Sequence, residues 1–416
     1  MAIANPRTPG PAARLVFLAS LLSVSAAAAD FPQWRGPSRD GVITGLAPRA
    51  TWPDSLKPAW KVTVGVGHSS PVVVGDRVFQ FSRIDDSEVV QALALASGKS
   101  VWRQSYPAPY TMNMAAMSHG KGPKSTPLVE DGRVFTLGIS GILSAFDAAS
   151  GRVLWRKEFG SQFKETSPLY GVATSPIIDQ GRLLVYVGGS ANGALVAFAP
   201  ATGAVLWTTK GDGPGYASPV VADLAGVRQV VTITDANLEG LSADKGELLW
   251  KLPFTTDYTQ NAVTPVVSGD LVIYTGLEHA VRAVRIVKTG AGFAAQPVWE
   301  NPEVAGYMSS PVVTGNRVYG LSHRKKGQIF CLDALTGKTL WLSEGRQGEN
   351  AALLAGGGAL FVLTTDAELL VAKQDGASFT VLKRYTVAPS PTWAHPVVLG
   401  DGVVVKDSDS LAFLKF

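Results

Sequence analysis

The stretch Ala145–Trp155 (AFDAASGRVLW) recurs almost unchanged in pattern as Cys331–Trp341 (CLDALTGKTLW). In both copies an Asp is followed four residues later by Gly, and the Gly four residues later by Trp. Weaker copies end at Trp102, Trp207 and Trp250. A phrase that recurs at a regular interval indicates one structural unit repeated along the chain.

The interval between repeats predicts the architecture. Successive aromatic positions are 42 to 53 residues apart and occur at Trp60, Trp102, Trp155, Trp207, Trp250, Trp299, Trp341 and Tyr385. A second phrase, Ser/Thr-Pro followed by two apolar residues, runs in step with the first, as in Ser70–Val73 and Ser310–Val313. With the β-branched runs between the phrases, each unit contains four short strands. Eight such units predict an all-β, eight-bladed β-propeller of four-stranded antiparallel blades, in which the seven Trp residues dock between blades.

The two ends of the chain suggest how the ring closes. The last unit has enough residues for only three strands, whereas the strand around Trp60 has no unit of its own. We therefore predict that this N-terminal strand joins the C-terminal blade, which removes the free edges of the ring.

The first 29 residues have the pattern of a signal peptide. Arg7 and Arg14 precede an apolar run over Leu15–Val24, and three alanines at 27–29 form a cleavage site. We expect a signal peptide over 1–29, an N-terminal extension over 30–57 and the propeller over 58–416. Because no Cys lies at the cleavage site to carry a lipid, we expect a periplasmic or secreted protein.

The composition excludes several classes of protein. The single cysteine, Cys331, rules out an intramolecular disulfide framework, a multi-cysteine zinc site and an iron–sulfur cluster. Removal of the predicted signal peptide deletes two Arg and no acid, which leaves the mature chain nearly neutral. We therefore expect no nucleic-acid partner, and no later apolar run is long enough to predict a transmembrane segment.

The intact phrase at Ala145–Trp155 resembles the tryptophan-docking repeat of quinoprotein alcohol dehydrogenases and their relatives. The opening Phe31–Val42 (FPQWRGPSRDGV) and His119–Pro127 (HGKGPKSTP) also look like segments of bacterial PQQ-like repeat proteins. This resemblance implies the propeller fold and two kinds of function. Some members are dehydrogenases that hold PQQ and calcium over the propeller axis, and others are non-catalytic scaffolds such as the lipoprotein propeller of the outer-membrane assembly machinery.

Two features of the sequence differ from those members. The quinoprotein dehydrogenases typically have adjacent cysteines beside the quinone, which a single Cys cannot supply. The assembly lipoprotein carries a lipidated cysteine after its signal, and this sequence has none there.

Any shared binding site is expected at one end of the central channel. In a propeller the segments before the innermost strands converge there, and we call this end the mouth. We expect His68 and His395 to be the closest pair of histidines at the mouth. The predicted ligand-binding residues in these segments are His68, His119, Lys121, Lys124, Tyr170, Tyr216, Asn261, Tyr307, Trp393 and His395.

The most unusual of these segments is Met112–Lys124, which we expect to form a lid or lip over the mouth. It combines three Met with His119, Lys121 and Lys124 in a Gly-rich insertion. The two Lys suit the carboxylates of an anionic ligand such as PQQ, and the Met groups suit an adaptable apolar surface. An ordinary surface loop with packed Met is the alternative.

Three functions remain open at this point. The leading hypothesis is a non-catalytic exported propeller that binds an envelope protein or a small ligand at the mouth, with no catalytic residues, metal or cofactor. The alternative is a PQQ-dependent oxidoreductase of alcohols or sugars, in which the quinone carries the chemistry. The third is a polysaccharide- or envelope-binding module, suggested by Tyr and Trp side chains at the mouth. The sequence leaves the oligomeric state open.

Overall fold

The computed structural model describes residues 1–4, 30–290 and 292–416, so most of the predicted signal peptide lies outside the described residues. The described chain forms eight four-stranded antiparallel sheets, as the sequence predicts for an eight-bladed propeller. Three short 3-10 helices, Met114–His119, Asp257–Thr259 and Arg324–Lys326, lie between blades or strands. No helix in these ranges is long and apolar enough to cross a membrane.

Within each blade the strands follow one another from the innermost to the outermost. Blades 1 to 4 comprise β2 (Val72–Val74), β3 (Arg77–Ile84), β4 (Ser87–Ala94) and β5 (Ser100–Pro107); β6 (Leu128–Glu130), β7 (Arg133–Leu137), β8 (Leu143–Asp147) and β9 (Val153–Lys157); β10 (Ile177–Asp179), β11 (Arg182–Gly189), β12 (Asn192–Phe198) and β13 (Val205–Thr208); and β14 (Val220–Leu224), β15 (Val227–Ile233), β16 (Asn237–Ser242) and β17 (Leu248–Pro253).

The second half of the chain repeats this arrangement. Blades 5 to 7 comprise β18 (Val266–Ser268), β19 (Leu271–Gly276), β20 (His279–Thr289) and β21 (Gly292–Ala305); β22 (Val312–Thr314), β23 (Arg317–Ser322), β24 (Gln328–Asp333) and β25 (Thr339–Leu342); and β26 (Ala351–Gly356), β27 (Ala359–Thr364), β28 (Glu368–Lys373) and β29 (Val381–Thr386). Blade 8 comprises β30 (Val397–Leu399), β31 (Gly402–Lys406), β32 (Ser410–Lys415) and β1 (Lys57–Thr63) from the N-terminal side. In this blade β1 pairs antiparallel with β32, and Trp60 lies opposite Phe413.

The innermost hairpins are tight because their two turn residues adopt left-handed backbone conformations. In blade 2 the turn residues Asp131 and Gly132 have φ values of 47° and 70°. A two-residue turn of this kind matches the twist of the strands that it joins. The apolar faces of the resulting sheets pack between blades, for example Phe79 and Phe81 of blade 1 against Phe146 of blade 2.

The repeated Gly and Trp join neighbouring blades. A Cβ on Gly151 of blade 2 would lie 2.5 Å from the Trp102 ring of blade 1, so only glycine lets the indole pack this closely. The Trp102 indole N–H donates to the Ala148 carbonyl at 2.9 Å. The same Gly–Trp contact occurs at four further junctions, between Gly98 and Trp60, Gly203 and Trp155, Gly246 and Trp207, and Gly337 and Trp299.

Three tryptophans differ from this pattern, and the first is Trp207, whose indole N–H has no hydrogen-bond partner among the described residues. Trp341 of blade 6 donates its indole N–H to the Asp375 carbonyl of blade 7 at 2.9 Å. Trp250 donates instead to the Gln229 side chain of its own blade at 2.7 Å. Blade 5 has no short turn to receive Trp250, because its β20 and β21 form one long hairpin.

Residues 30–43 lie on the propeller axis. We call this stretch the N-terminal segment. It pairs with the innermost strands of blades 1 and 7, through Phe31 with Val73 and Val42 with Ala355. It also reaches blades 3, 4 and 6 through two buried arginines, Arg39 and Arg35. Contacts to opposite sides of the ring place the N-terminal segment inside the central channel.

Arg39 makes the densest set of these contacts. Its guanidinium donates to the Ser175 carbonyl at 2.8 Å, to the Pro219 carbonyl at 3.2 Å and to the Pro176 carbonyl. It also donates to the Gln33 side chain at 3.0 Å. Arg35 donates to the Asp40 carbonyl at 2.9 Å and to the Pro311 carbonyl. The two arginines therefore hold the N-terminal segment to the start of three innermost strands.

Candidate functional site

An open cavity of about 420 Å³ lies on the axis at the mouth, above the N-terminal segment. We call it the axial cavity. Trp34 of the N-terminal segment lines it, together with the residues that precede the innermost strands. Eight of the ten residues predicted to bind a ligand line this cavity, and whether they bind one remains a prediction: His68, His119, Lys124, Tyr170, Tyr216, Tyr307, Trp393 and His395.

The structure places the other two predicted residues outside the cavity lining. Lys121 is exposed on the loop beside it. Asn261 is buried, where its amide donates to the Thr234 carbonyl at 2.8 Å and accepts from the Thr256 backbone N–H at 2.9 Å. Its neighbour Gln260 lines the cavity instead.

A chain of hydrogen bonds links the blades around the axial cavity. The backbone N–H of Ser175 donates to the Ser218 hydroxyl at 2.9 Å, and that of Ser218 donates to the Thr264 hydroxyl at 2.9 Å. Equivalent bonds join Thr264 to Ser310 at 3.0 Å and His395 to Ser70 at 2.9 Å. The Ser or Thr before each Pro therefore fixes one blade to the next. Five of these hydroxyl groups line the cavity, and we call them the axial hydroxyl ring: Ser70, Ser175, Ser218, Thr264 and Ser310.

Aromatic rings form the upper wall of the cavity. His68 stacks on Trp393 with ring centroids 5.3 Å apart and planes 14° apart. His119 packs edge-on against the same Trp393 at 5.1 Å and against His68 at 5.9 Å. His395 packs against Trp34 at 5.2 Å. His68 is thus grouped with His119, because the Met112–Lys124 segment folds over the mouth, and not with the expected His395.

The Met112–Lys124 segment forms part of the cavity rim. Its 3-10 helix begins where the Asn113 side chain accepts from the Ala115 backbone N–H at 2.9 Å. Ser118 and His119 of this helix line the cavity, whereas the Met114 and Met117 side chains are 83% and 61% exposed. The segment therefore turns polar groups inward and two Met side chains toward solvent.

The histidines of the cavity are neutral at physiological pH. Burial lowers the pKa of His68 to about 3, and the nearby Lys124 charge adds to this shift. Burial also lowers the pKa of His395 to about 3, with a smaller effect from the Arg35 charge. A neutral imidazole offers one donor and one acceptor nitrogen to a ligand.

Lys124 is the cation that lines the cavity. Its ammonium donates to the Tyr170 carbonyl at 3.0 Å and has no carboxylate partner within the described ranges. Burial lowers the pKa of Lys124 to about 8, so most molecules carry the charge at neutral pH. The cavity can therefore attract negative charge and donate hydrogen bonds to it.

Calcium does not fit this set of side chains. The ion takes about six to eight oxygen ligands, mainly from carboxylates and carbonyl groups. The described lining contains no Asp or Glu, and Gln260 supplies its only side-chain amide. The described residues also contain no cluster of three or more His, Cys, Asp or Glu that could hold a metal ion.

Sequence reasoning missed two contributors to the site. Trp34 falls in the predicted N-terminal extension over 30–57, yet it lines the axial cavity. The five hydroxyl groups of the axial hydroxyl ring enter the sequence prediction only as part of a repeated phrase. A Ser or Thr followed by Pro precedes six of the eight innermost strands, and this recurrence is the signal that could identify them.

Comparison with known proteins identifies relatives of this chain. A family model, PQQ_2, described as outer membrane protein assembly factor BamB, matches residues 85–343. The BamB of Shewanella oneidensis is 27% identical over 228 residues, which are 52% of this chain and 55% of that protein. The BamB of Burkholderia pseudomallei is 24% identical over 311 residues, covering 70% of this chain and 73% of that protein. The chain thus spans just over half the length of the first of these relatives.

Solved structures share the fold at low sequence identity. BamB from Moraxella catarrhalis has a TM-score of 0.62 and 16% identity, covering 87% of this chain and 98% of that one. A europium-containing methanol dehydrogenase has a TM-score of 0.53 and 12% identity, covering 93% and 98%. These likenesses concern the fold alone, whereas the family model matches more than half of the sequence. The chain therefore belongs to the PQQ_2 family of β-propellers, the family described as outer membrane protein assembly factor BamB.

Proposed function

We propose that the protein is an exported, non-catalytic propeller that binds an envelope protein at its mouth. The observation that carries the proposal is a set of four exposed apolar side chains on the loops that precede the innermost strands of blades 2, 3 and 5. Met114, Met117 and Tyr258 are between 61% and 83% exposed, and Leu169 is 46% exposed. Apolar side chains grouped around an opening are typical of a protein-binding surface.

The relatives supply the class of partner. Their shared name describes an outer membrane protein assembly factor. We infer that the partner is an envelope protein that takes part in such assembly. A periplasmic location, supported by the predicted signal peptide over 1–29, would bring the two proteins together.

Site-specific crosslinking in the native host tests this proposal. Met117 and Tyr258 would each be replaced by the photoreactive p-benzoylphenylalanine. Asn316 is the matched control, because it is exposed in the β22–β23 turn at the end of the channel opposite the mouth. We expect one crosslinked envelope protein at both mouth positions and none at Asn316. Crosslinking only at Asn316, equal crosslinking at all three positions, or none anywhere would refute the mouth as the binding surface.

A PQQ-dependent oxidoreductase is the alternative function. Its support is the fold shared with a methanol dehydrogenase, and the acid-free lining of the cavity argues against its calcium ion. Titration of PQQ with and without Ca²⁺, followed by dye reduction with alcohols and sugars, separates the two functions. We expect no calcium-dependent binding and no turnover. Tight calcium-dependent binding with turnover would overturn the non-catalytic proposal.

A further inference from the structure

We propose that the axial cavity is a binding site for the carboxylate of a small aromatic acid. This site goes beyond the partner interaction proposed above, since it needs no second protein. The proposal is based on three independent features of the cavity: unused hydrogen-bond donors, cations without carboxylate partners and planar aromatic walls.

The first feature is the axial hydroxyl ring. A hydroxyl group has one donor hydrogen and two acceptor lone pairs. The Ser70, Ser218, Thr264 and Ser310 hydroxyls each accept a backbone N–H from the neighbouring blade. Within the described chain none of them donates to another protein atom, so their hydrogens are available to a ligand in the cavity that they line. Several hydroxyl donors that line one cavity suit an oxyanion.

The second feature is positive charge. Lys124 lines the cavity without a carboxylate partner in the described residues. Arg35 is fully buried next to the cavity wall, with its guanidinium 5.4 Å from the centroid of the Trp34 ring. Among the described residues its Nε and Nη1 atoms have no hydrogen-bond partner. The nearest acid to Arg35 is Asp40, whose carboxylate accepts from the Val42 backbone N–H at 2.8 Å. Because no acidic side chain is among the described lining, the field inside the cavity favours an anion.

A further unsatisfied group belongs to His395. Its Nδ1 atom is buried and has no hydrogen-bond partner among the described residues. His395 lines the cavity beside Trp34, with ring centroids 5.2 Å apart. An unpaired buried polar atom is costly, so a ligand atom that bonds to it is favoured.

The third feature separates an aromatic acid from a simple inorganic anion. The stacked His68 and Trp393 rings line the cavity, as does the Tyr170–Tyr216 pair, which meets edge to face with centroids 5.6 Å apart and planes 62° apart. Planar rings gain from stacking or edge contacts with such walls. A cavity of about 420 Å³ has room for one or two fused rings that carry a carboxylate.

Calorimetric titration of the purified mature protein tests the proposal. Indole-3-acetate is the probe, and indole-3-acetamide is its uncharged counterpart of nearly the same shape. We expect the acetate to bind at least tenfold more tightly than the acetamide, since only the acetate carries a charge for Lys124. Equal affinity, or no binding of the acetate at millimolar concentration, would overturn the proposal.

Two lysines on the same segment provide a matched pair of variants. Lys124→Met removes the cavity cation, whereas Lys121→Met removes an exposed charge that does not line the cavity. We expect Lys124→Met to weaken acetate binding at least tenfold and Lys121→Met to change it less than twofold. Circular dichroism checks that both variants are folded. Equal effects of the two substitutions on acetate binding would refute the assigned site.

A last comparison identifies the source of the carboxylate. N-acetyltryptophan carries the same ring system and a carboxylate like the one at the end of a protein chain, and N-acetyltryptophanamide lacks that charge. Tighter binding of indole-3-acetate is the expected result for a free small acid. Tighter binding of N-acetyltryptophan would overturn that source. Neither result depends on the crosslinking experiment, so the two proposals can fail separately.

Discussion

The contact between Gly151 and Trp102 predicts how much the docking phrase contributes to stability. In Gly151→Ala the new Cβ would lie 2.5 Å from the indole ring of Trp102, at a backbone φ of +75°. Gly132 of the same blade is the matched control, because its φ is +70° and nothing lies within 4 Å of an added Cβ. Gly132→Ala therefore measures the backbone strain alone, which we expect to cost about 1 kcal/mol.

Gly151→Ala adds the displacement of the indole to that strain. Overpacking of a buried contact costs about 1–3 kcal/mol, and Trp102 is buried with its N–H bonded to the Ala148 carbonyl. We expect a total loss of about 3 kcal/mol in the free energy of unfolding, measured by urea titration followed by circular dichroism.

A third variant shows whether the ring causes the loss. In a Trp102→Leu background the clash is gone, so Gly151→Ala should cost only about 1 kcal/mol, the same as Gly132→Ala. If Gly151→Ala costs no more than Gly132→Ala in the unmodified protein, the docking glycine is not required by the tryptophan.

Three further predictions concern the axis and the mouth. Arg39→Met leaves three buried carbonyls without their donor and should lower the free energy of unfolding by about 3 kcal/mol. The control is Arg103→Met, on an exposed side chain of β5, which should lower it by less than about 0.5 kcal/mol. His68 and His395 have pKa values of about 3 in the folded state, so the unfolded state takes up protons first as the pH falls. Protonation of each of these two histidines in the unfolded state should lower the free energy of unfolding by about 2 kcal/mol between pH 7 and 5. The affinity for indole-3-acetate should fall roughly tenfold between pH 7 and 9 as Lys124, with its pKa of about 8, loses its charge.

Each of these has a result that contradicts it. An Arg39→Met protein as stable as Arg103→Met would show that the N-terminal segment is not held by that guanidinium. If the free energy of unfolding of His395→Gln falls between pH 7 and 5 as much as that of the unmodified protein, His395 does not cause this pH dependence. The Lys124 charge acts on His68 and His119, whose pKa values are lowered. Lys406, whose pKa burial also lowers to about 8, is the other lysine whose charge acts on His68. If Lys124→Met keeps the same pH dependence of binding, Lys406 and not Lys124 controls it.

The fold could be predicted because its signals are local and repeated. The eleven residues Ala145–Trp155 contain a turn, a strand and a docking tryptophan. Eight aromatic positions at intervals of 42 to 53 residues leave few architectures other than a propeller. Most of the cavity residues could be predicted for a related reason. The segments that precede innermost strands converge on the axis in any propeller, so most polar residues in them reach the mouth.

What the sequence could not show lies outside the repeat. Arg39 contacts carbonyls that are 136 to 180 residues away, and no periodicity marks such a contact. Within the irregular loops the direction of a side chain also has no sequence signal. Gln260 lines the cavity while the adjacent Asn261 bonds to backbone groups, and Lys124 lines it while Lys121 does not.

The contacts of the N-terminal segment also imply an order of events during folding. Its arginines bind carbonyls of residues as distant as Pro311, 276 positions further along the chain from Arg35, and β1 needs β32 as its partner. These partners are synthesised long after the segment itself, and bringing such distant parts together is slow. We therefore expect the earliest residues of the folded propeller to be among the last to reach their final positions. We also expect the ring to close and the two guanidinium groups to become buried in the same step, so that an incomplete ring lacks the contacts that hold its centre.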